Sequence, residues 1–457
     1  MALPRTVVLN VVGLTRDLLG SSTPRLSAFA KANQVASIRP AFPAVTCTAQ
    51  SSYLTGLTPS EHGIVGNGWY DRDLAEVHFW KQSNRLVSGP KLWDKLRALD
   101  PAFTCAQLFW WYNMHASVDW AITPRPLYPA DGRKVFDIHT TPLALRPEIK
   151  KDLGEFPFPA FWGPRAGIES SRWIAASARW IEERHQPTLS LVYLPHLDYN
   201  LQRLGPNDPR IAEDLRQIDE VAGGLIDFFQ QRGVQVVVLS EYGITEVDTP
   251  VHLNRLFRRH GWLSIKDELG LETLDCGGSR VFAVADHQVA HVYLNDPALE
   301  GAVRSALETE SGVEQILDAK AQSALGLRHR RAGDLIAIAK PRSWFTYYYW
   351  EDDAVAPDFA RTIDIHRKVG YDPAELFIDP QLTLPQVRVA RFLLKKKLGL
   401  RGLLNVIPLD ASLVRGSHGR RPEDEKDWPV FISGIRSGNA LSSEQVHDEL
   451  LRICSHD

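Results

Sequence analysis

The chain has 457 residues, 44% hydrophobic and 23% charged, enough to bury a large core. Its formal net charge of -3 gives no support to a nucleic-acid or anionic-membrane partner. Four scattered cysteines with no CxxC pair point to neither a zinc ribbon nor a dense disulfide framework.

In chain order, the first apolar run, Val7–Leu14, is broken by Asn10 and Gly13. It is too short for a signal peptide or a transmembrane helix and reads as a buried strand, so a cytoplasmic protein without a transmembrane segment is expected. In Phe42–Asp71, Thr46 follows the extended FPAV and precedes a helical run, about Thr48–Leu54, that ends at Gly56. Backbone N–H groups and the dipole at a helix N-terminus favour negative charge, which would help Thr46 ionise. On spacing alone, a helix cap is the favoured reading over a nucleophile. The stretch Lys151–Arg165, rich in Pro and Phe, reads as an ordered surface loop.

Amphipathic stretches at Ser170–Arg184 and Ile211–Gln231 alternate with near-continuous apolar strands at Leu189–Leu194 and Val234–Leu239. That alternation implies a doubly wound, mostly parallel α/β sheet with helices on both faces, whose ligands sit at the carboxyl ends of the strands. Residues 1–457 read as a single domain. Strand-like DHQVAHVYL and GDLIAIA, with a helix near Pro297–Glu310, imply a small inserted lobe within about 275–400. The aromatic runs Phe109–Tyr112 and Trp344–Trp350 suit the stacking of planar groups, and the second, beside Glu351–Asp353, reads as a pocket rim. His252 lies near a candidate site glutamate, Glu241, although a core or surface histidine is the favoured reading. Alternation in DIHRKVGYDP sends Asp364, His366 and Lys368 to one side, where a cation could clamp a phosphate; plain surface is favoured. The basic run Arg391–Arg401 reads as a membrane-binding helix or, favoured, as a solvated face with an apolar stripe.

FPAVTCTAQSSYLTGLTPSEHGIVGN, with FWKQSN and LFWWYNM further on, resembles the nucleotide pyrophosphatase/phosphodiesterase branch of the alkaline-phosphatase superfamily. The resemblance implies that fold and a metal-assisted hydrolase of a phosphodiester or phosphoanhydride. Thr46 falls on the nucleophilic threonine and Asn67 on the asparagine that holds a phosphoryl oxygen. The family uses six metal ligands, mostly Asp and His, on two ions. Asp198, Glu241 and His418 match or conservatively replace three of them. Val12, Gln202 and Tyr242 stand at three others, with Asn10 and His196 as nearby substitutes. The expected cofactor is therefore one or two divalent ions, zinc, manganese or magnesium, and the expected partner a small phosphorylated metabolite. The lost ligands motivate an alternative: a pseudoenzyme that binds such a metabolite without turning it over. The combination VVGL, TCTAQ, LPHLDYN, SEYG and DIHRK also resembles the phosphodiesterase-like component of bacterial ebo-type gene clusters, which implies a phosphorylated or diphosphate-linked biosynthetic intermediate.

Overall fold

A computed structural model describes residues 2–400, 402–435 and 438–455; Arg401, the end of the basic run, lies outside them. A nine-stranded sheet organises the chain. In spatial order its strands are Ala440–Ser442, Gln34–Arg39, Val430–Ser433, Gln235–Leu239, Thr6–Val11, Leu189–Leu194, Cys105–Leu108, Trp120–Pro124 and Ile138–Thr141. Val430–Ser433 and Ile138–Thr141 run against their neighbours, and the other pairings are parallel. The central strand, TVVLNV, is buried along its whole length. Its apolar run is what a strand covered on both faces requires. Asn10 is its one polar interruption near the carboxyl end, where the site lies.

Helices flank the sheet. Ile168–His185 and Ile211–Gln230 pack on each other and on central strands, while Thr46–Thr55, Leu92–Leu99 and Ser443–Ser455 form a separate group. The mostly parallel, helix-flanked α/β sheet is the architecture the apolar periodicity implies. The stretch at 151–165 is less of a loop than its composition predicts. It begins inside the helix Leu145–Leu153, and Phe156 is buried against Phe109 and Trp173. Among the described residues no helix is long and apolar enough to cross a membrane.

A second, antiparallel sheet orders Val281–Asp286, Val289–Leu294, Leu335–Ala339 and Val313–Leu317 around its own apolar cluster. Trp344–Trp350 lies inside that cluster, with Tyr347, Tyr348, Tyr349 and Trp350 no more than 1% exposed. Most of the rings are therefore core, while the end of the run meets the pocket-rim expectation: Tyr348, Glu351, Asp352 and Asp353 line an open pocket with His252 and Arg255. The turn joining the first two strands of this sheet reaches back to the large sheet, where the Gln288 N–H donates to the His418 carbonyl at 2.9 Å. Two glycines permit close approach around the same region. A Cβ on Gly243 would overlap the Asp427 carbonyl, and one on Gly416 the Leu201 carbonyl.

Candidate active site

Thr46 is the first residue of the helix Thr46–Thr55, not its cap: Val45 takes that position, in extended conformation. The favoured cap reading thus falls. The Thr46 hydroxyl, in a residue 3% exposed, turns away from the helix end to Tyr242, 3.2 Å from its phenol oxygen. Tyr242 donates its own proton to Asp198 Oδ1 at 3.1 Å. With the Tyr242 proton on Asp198, the Thr46 hydroxyl lies between two acceptors, the Tyr242 phenol oxygen and the Glu241 carboxylate, and the contacts run as a chain Thr46–Tyr242–Asp198. Asp198 stands in the first turn of the helix His196–Leu204, directly after the strand Leu189–Leu194. Its Oδ2 accepts from the Gln202 amide at 2.8 Å, and the Tyr371 phenol donates to Gln202 Oε1 at 3.0 Å.

His418 is brought up by an antiparallel bridge between Ala44 and Gly419. Its Nδ1–H donates to the Ala44 carbonyl at 2.7 Å, which leaves the Nε2 lone pair 3.9 Å from Asp198 Oδ1. The Tyr242 ring stacks on the His418 ring, centroids 3.7 Å apart and the planes nearly parallel. Burial holds the His418 imidazole well below its ordinary pKa, so it is neutral, and burial pushes the Asp198 carboxyl up to about 7.

Glu241 follows the strand Gln235–Leu239 and is wholly buried. Its Oε1 accepts from the Asn10 and Gln50 amides. Burial raises its pKa to about 8, against the pull of those donors and of the Thr46 hydroxyl. Asn67 bonds the helix end instead of standing free: its Oδ1 accepts from the Cys47 N–H at 3.0 Å and its Nδ2 donates to Asp286 Oδ1 at 3.1 Å. One amide hydrogen of Asn67 remains for a ligand.

The structure thus brings together Thr46, Asn67, Asp198, Glu241 and His418, with Asn10, Gln202 and Tyr242 linking them. The other expected positions go elsewhere. His196 opens a helix rather than ending a strand, and its Nε2 lies 3.2 Å from Asp214 on the helix Ile211–Gln230. His252 Nδ1 meets the Thr346 hydroxyl at 2.7 Å, and its ring stacks on Tyr348 in the second core. Asp364, His366 and Lys368 lie in turns, so strand alternation does not apply. The Asp364 N–H donates to Glu375, His366 Nδ1 lies 3.3 Å from the Phe79 carbonyl, and Lys368 is buried between Asp372 and Glu375 at 2.6 and 2.8 Å.

Residues that the sequence reading passed over complete the site. Asp286 accepts from both the backbone and the side chain of Asn67. His287, at φ 62° in the turn, donates from Nδ1 to Asp286 and stacks between Tyr371 and His418. Gln50 links Glu241 to the Trp111 N–H. The signal was present: Asp-His-Gln divides two apolar runs, which marks a turn rather than one continuous strand.

Two metal ions do not fit this arrangement. The Tyr242 phenol stands between Thr46 and Asp198, and neutral donors cap Asp198 and Glu241 where a cation would bind. Among the described residues no group of three or more His, Cys, Asp or Glu is placed to hold a metal ion. Among the described residues, Asn10 Oδ1 and Glu241 Oε2 are the buried oxygens left without a hydrogen-bond partner on the Glu241 side. A pair of oxygens is well short of the six that magnesium or calcium takes.

Murine ectonucleotide pyrophosphatase/phosphodiesterase 5, an inactive threonine-to-alanine variant in complex with AMP, is similar in fold, with TM-score 0.60 and 13% identity over 99% of this chain and 95% of that one. Phosphonoacetate hydrolase from Sinorhizobium meliloti 1021, in complex with phosphonoacetate, gives TM-score 0.63 and 14% identity over 99% and 96%. At such identities the likeness concerns the fold. In sequence, the chain is 26% identical over 277 residues to an uncharacterised pyrophosphatase/phosphodiesterase of Schizosaccharomyces pombe. That match takes in 56% of this chain and 50% of the relative, about half the length of the protein it matches. Residues 6–372, most of the chain and nearly all of the site, match the family described as type I phosphodiesterase / nucleotide pyrophosphatase, and the chain belongs to it.

Proposed function

We propose that this chain hydrolyses a phosphodiester or phosphoanhydride of a small phosphorylated metabolite through a covalent Thr46 intermediate. The observation that carries the reading is the hydrogen-bonded chain that links Thr46 through Tyr242 to Asp198. As Thr46 Oγ1 forms a bond to phosphorus and the leaving-group oxygen departs, the threonine proton passes to Tyr242 and the Tyr242 proton to Asp198. A carboxyl held near 7 accepts a proton readily at neutral pH. The free Asn67 amide hydrogen and the helix N-terminus face the charge that develops on phosphorus. Water then attacks the phosphorus, the Thr46–phosphorus bond breaks, the Asp198 proton returns through Tyr242 to the threonine oxygen, and a proton from the water neutralises the departed leaving-group oxygen. The AMP and phosphonoacetate held by proteins of similar fold support a small phosphorylated or phosphonylated substrate. The substitutions within the metal set, and the closed arrangement they make, support a second reading: a protein that binds such a metabolite without turnover.

Aryl phosphate monoesters and diesters, assayed with a divalent-metal panel and with chelator, separate the two. Turnover by the wild-type chain that drops at least about 1,000-fold in Thr46→Ala, with unchanged thermal midpoint, is expected. Turnover equal in the two proteins removes the threonine mechanism. Ligand binding with no turnover under any condition establishes the second reading.

A further inference from the structure

The net charge of -3 averages over an uneven distribution. From Gln381 to Leu409 the sequence has six Lys or Arg and no Asp or Glu. The same region concentrates exposed apolar surface: of seventeen large apolar side chains exposed among the described residues, eight lie between Ile378 and Leu403. Of the other nine, Leu127, Tyr128, Val135 and Phe136 gather on two paired segments, and the remaining five are scattered singly.

The helix Pro385–Lys397 orders these groups. Its inner side carries Val389, half-buried against the cluster of Ala374, Val406 and Ile407, and Phe392, also half-buried. Val387 and Leu394, seven residues apart, share the opposite face, and Leu398 follows four residues on. They are 58%, 58% and 66% exposed. Arg388, Arg391 and Lys395 border this stripe on one side and Lys397 on the other; none of the four forms an ion pair among the described residues. A helix docked to its own fold through one apolar side gains nothing from a second that faces water. Fully burying a Leu or Val side chain is worth about 1.5–3 kcal/mol, and here that gain is unused.

We infer that this helix is an interfacial anchor, which lays Val387, Leu394 and Leu398 into the surface of an anionic lipid bilayer. The cations bordering the stripe select that occupant, because an apolar stripe flanked by cations matches the boundary between acyl chains and acidic headgroups. It lies on the surface and does not span it: thirteen residues are too few to cross. The anchor is close in sequence to the candidate site, since Tyr371, which holds Gln202, precedes it on the same loop segment. This inference is independent of the reaction proposed above.

Vesicle flotation of the full chain tests it. Neutral phosphatidylcholine vesicles are compared with vesicles in which about a third of the lipid is phosphatidylglycerol. Binding to the acidic vesicles at least tenfold tighter than to neutral ones, and weakened by salt, is expected. The double variant Leu394→Glu, Leu398→Glu, at exposed positions, loses that binding. Replacing Arg388, Arg391, Lys395 and Lys397 by Gln weakens it by roughly fivefold per residue. No binding to acidic vesicles, or binding that both variants retain, overturns the inference. Light scattering that shows a dimer in the wild type and a monomer in the Leu394→Glu, Leu398→Glu variant, without vesicle binding, overturns it in favour of a second copy of the chain.

Discussion

Tyr242 carries the main departure from the residues its family implies, and its phenol makes a specific demand on the chemistry. In Tyr242→Phe the ring still stacks on His418, so the site keeps its shape, but Asp198 Oδ1 and Thr46 lose the group between them. Turnover should fall about 100-fold with little change in KM, the typical contribution of a positioned proton-transfer group. An unchanged turnover would move the base to another group. His62, by contrast, belongs to the scaffold. It is fully buried, its Nδ1 accepts from the Ile64 N–H at 3.0 Å and its Nε2 lies 3.1 Å from the Ser52 hydroxyl. Burial lowers its pKa to about 3, with help from the neighbouring His329 imidazole and Arg331 guanidinium. The unfolded chain takes up this proton near 6.5 and the folded one only near 3, so stability falls as pH drops through that window. Between pH 7.5 and 5 the contribution is about 2 kcal/mol. Urea midpoints at the two pH values should diverge by that much less in His62→Gln. The family resemblance grouped Thr46, Asn67 and His418, because the motifs that carry them survive intact. It could not show what replaced the lost ligands, because Tyr371 and His287 reach the site across hundreds of residues of chain.

At the level of elements, the segment from Pro357 to Leu376 is a strap fixed from beneath. Lys368 is 2% exposed and lies between Asp372 and Glu375, and Glu375 also accepts from the Trp162 indole at 2.5 Å. The cation was expected at the surface or beside the phosphate, because a Lys in a polar loop is nearly always solvated. Three charged groups buried together within eight residues of chain explain the difference: each lowers the desolvation cost of the others. Lys368→Met leaves both carboxylates uncompensated in the interior and should destabilise the fold by about 3–5 kcal/mol, read from the urea midpoint. Tyr371 hangs on this strap, so the same variant should also raise KM. Normal stability in Lys368→Met would show that water reaches the cluster. The regular elements were the most legible part of the chain. Leu189–Leu194 and the helix Ile211–Gln230 sit within a residue of where periodicity put them. Turns such as Asp286–Gln288 were read as strand because the flanking residues on both sides are apolar and β-branched, and periodicity cannot see a single reversed residue.

For the molecule as a whole, the site lies where two sheets meet: the nine-stranded sheet supplies Asp198, Glu241 and Asn10, and the turn of the four-stranded sheet supplies Asp286 and His287. The two largest apolar cores are joined there by hydrogen bonds of buried polar groups and by a smaller apolar cluster in which Cys47, Ile64 and Trp111 meet Val289 and Ile336. In a metal-bridged site, ions would make that joint, and their removal would loosen both cores. Here amides and phenols already cap the carboxylates, so the joint should hold without them. A divalent ion present at 1,000 times its Kd stabilises a fold by about 4 kcal/mol, which for a large domain moves the thermal midpoint by several degrees. Adding chelator to the purified chain should therefore leave the midpoint unchanged to within about a degree, and adding zinc, manganese or magnesium afterwards should not raise it. A fall of several degrees would place a cation on the unpartnered oxygens of Asn10 and Glu241, beside Thr46. In that case Glu241→Gln, which keeps the shape and removes the charge, should abolish the chelator effect while Asp198→Asn leaves it intact, because Asp198 is held by Tyr242 and Gln202 on the other side of the threonine.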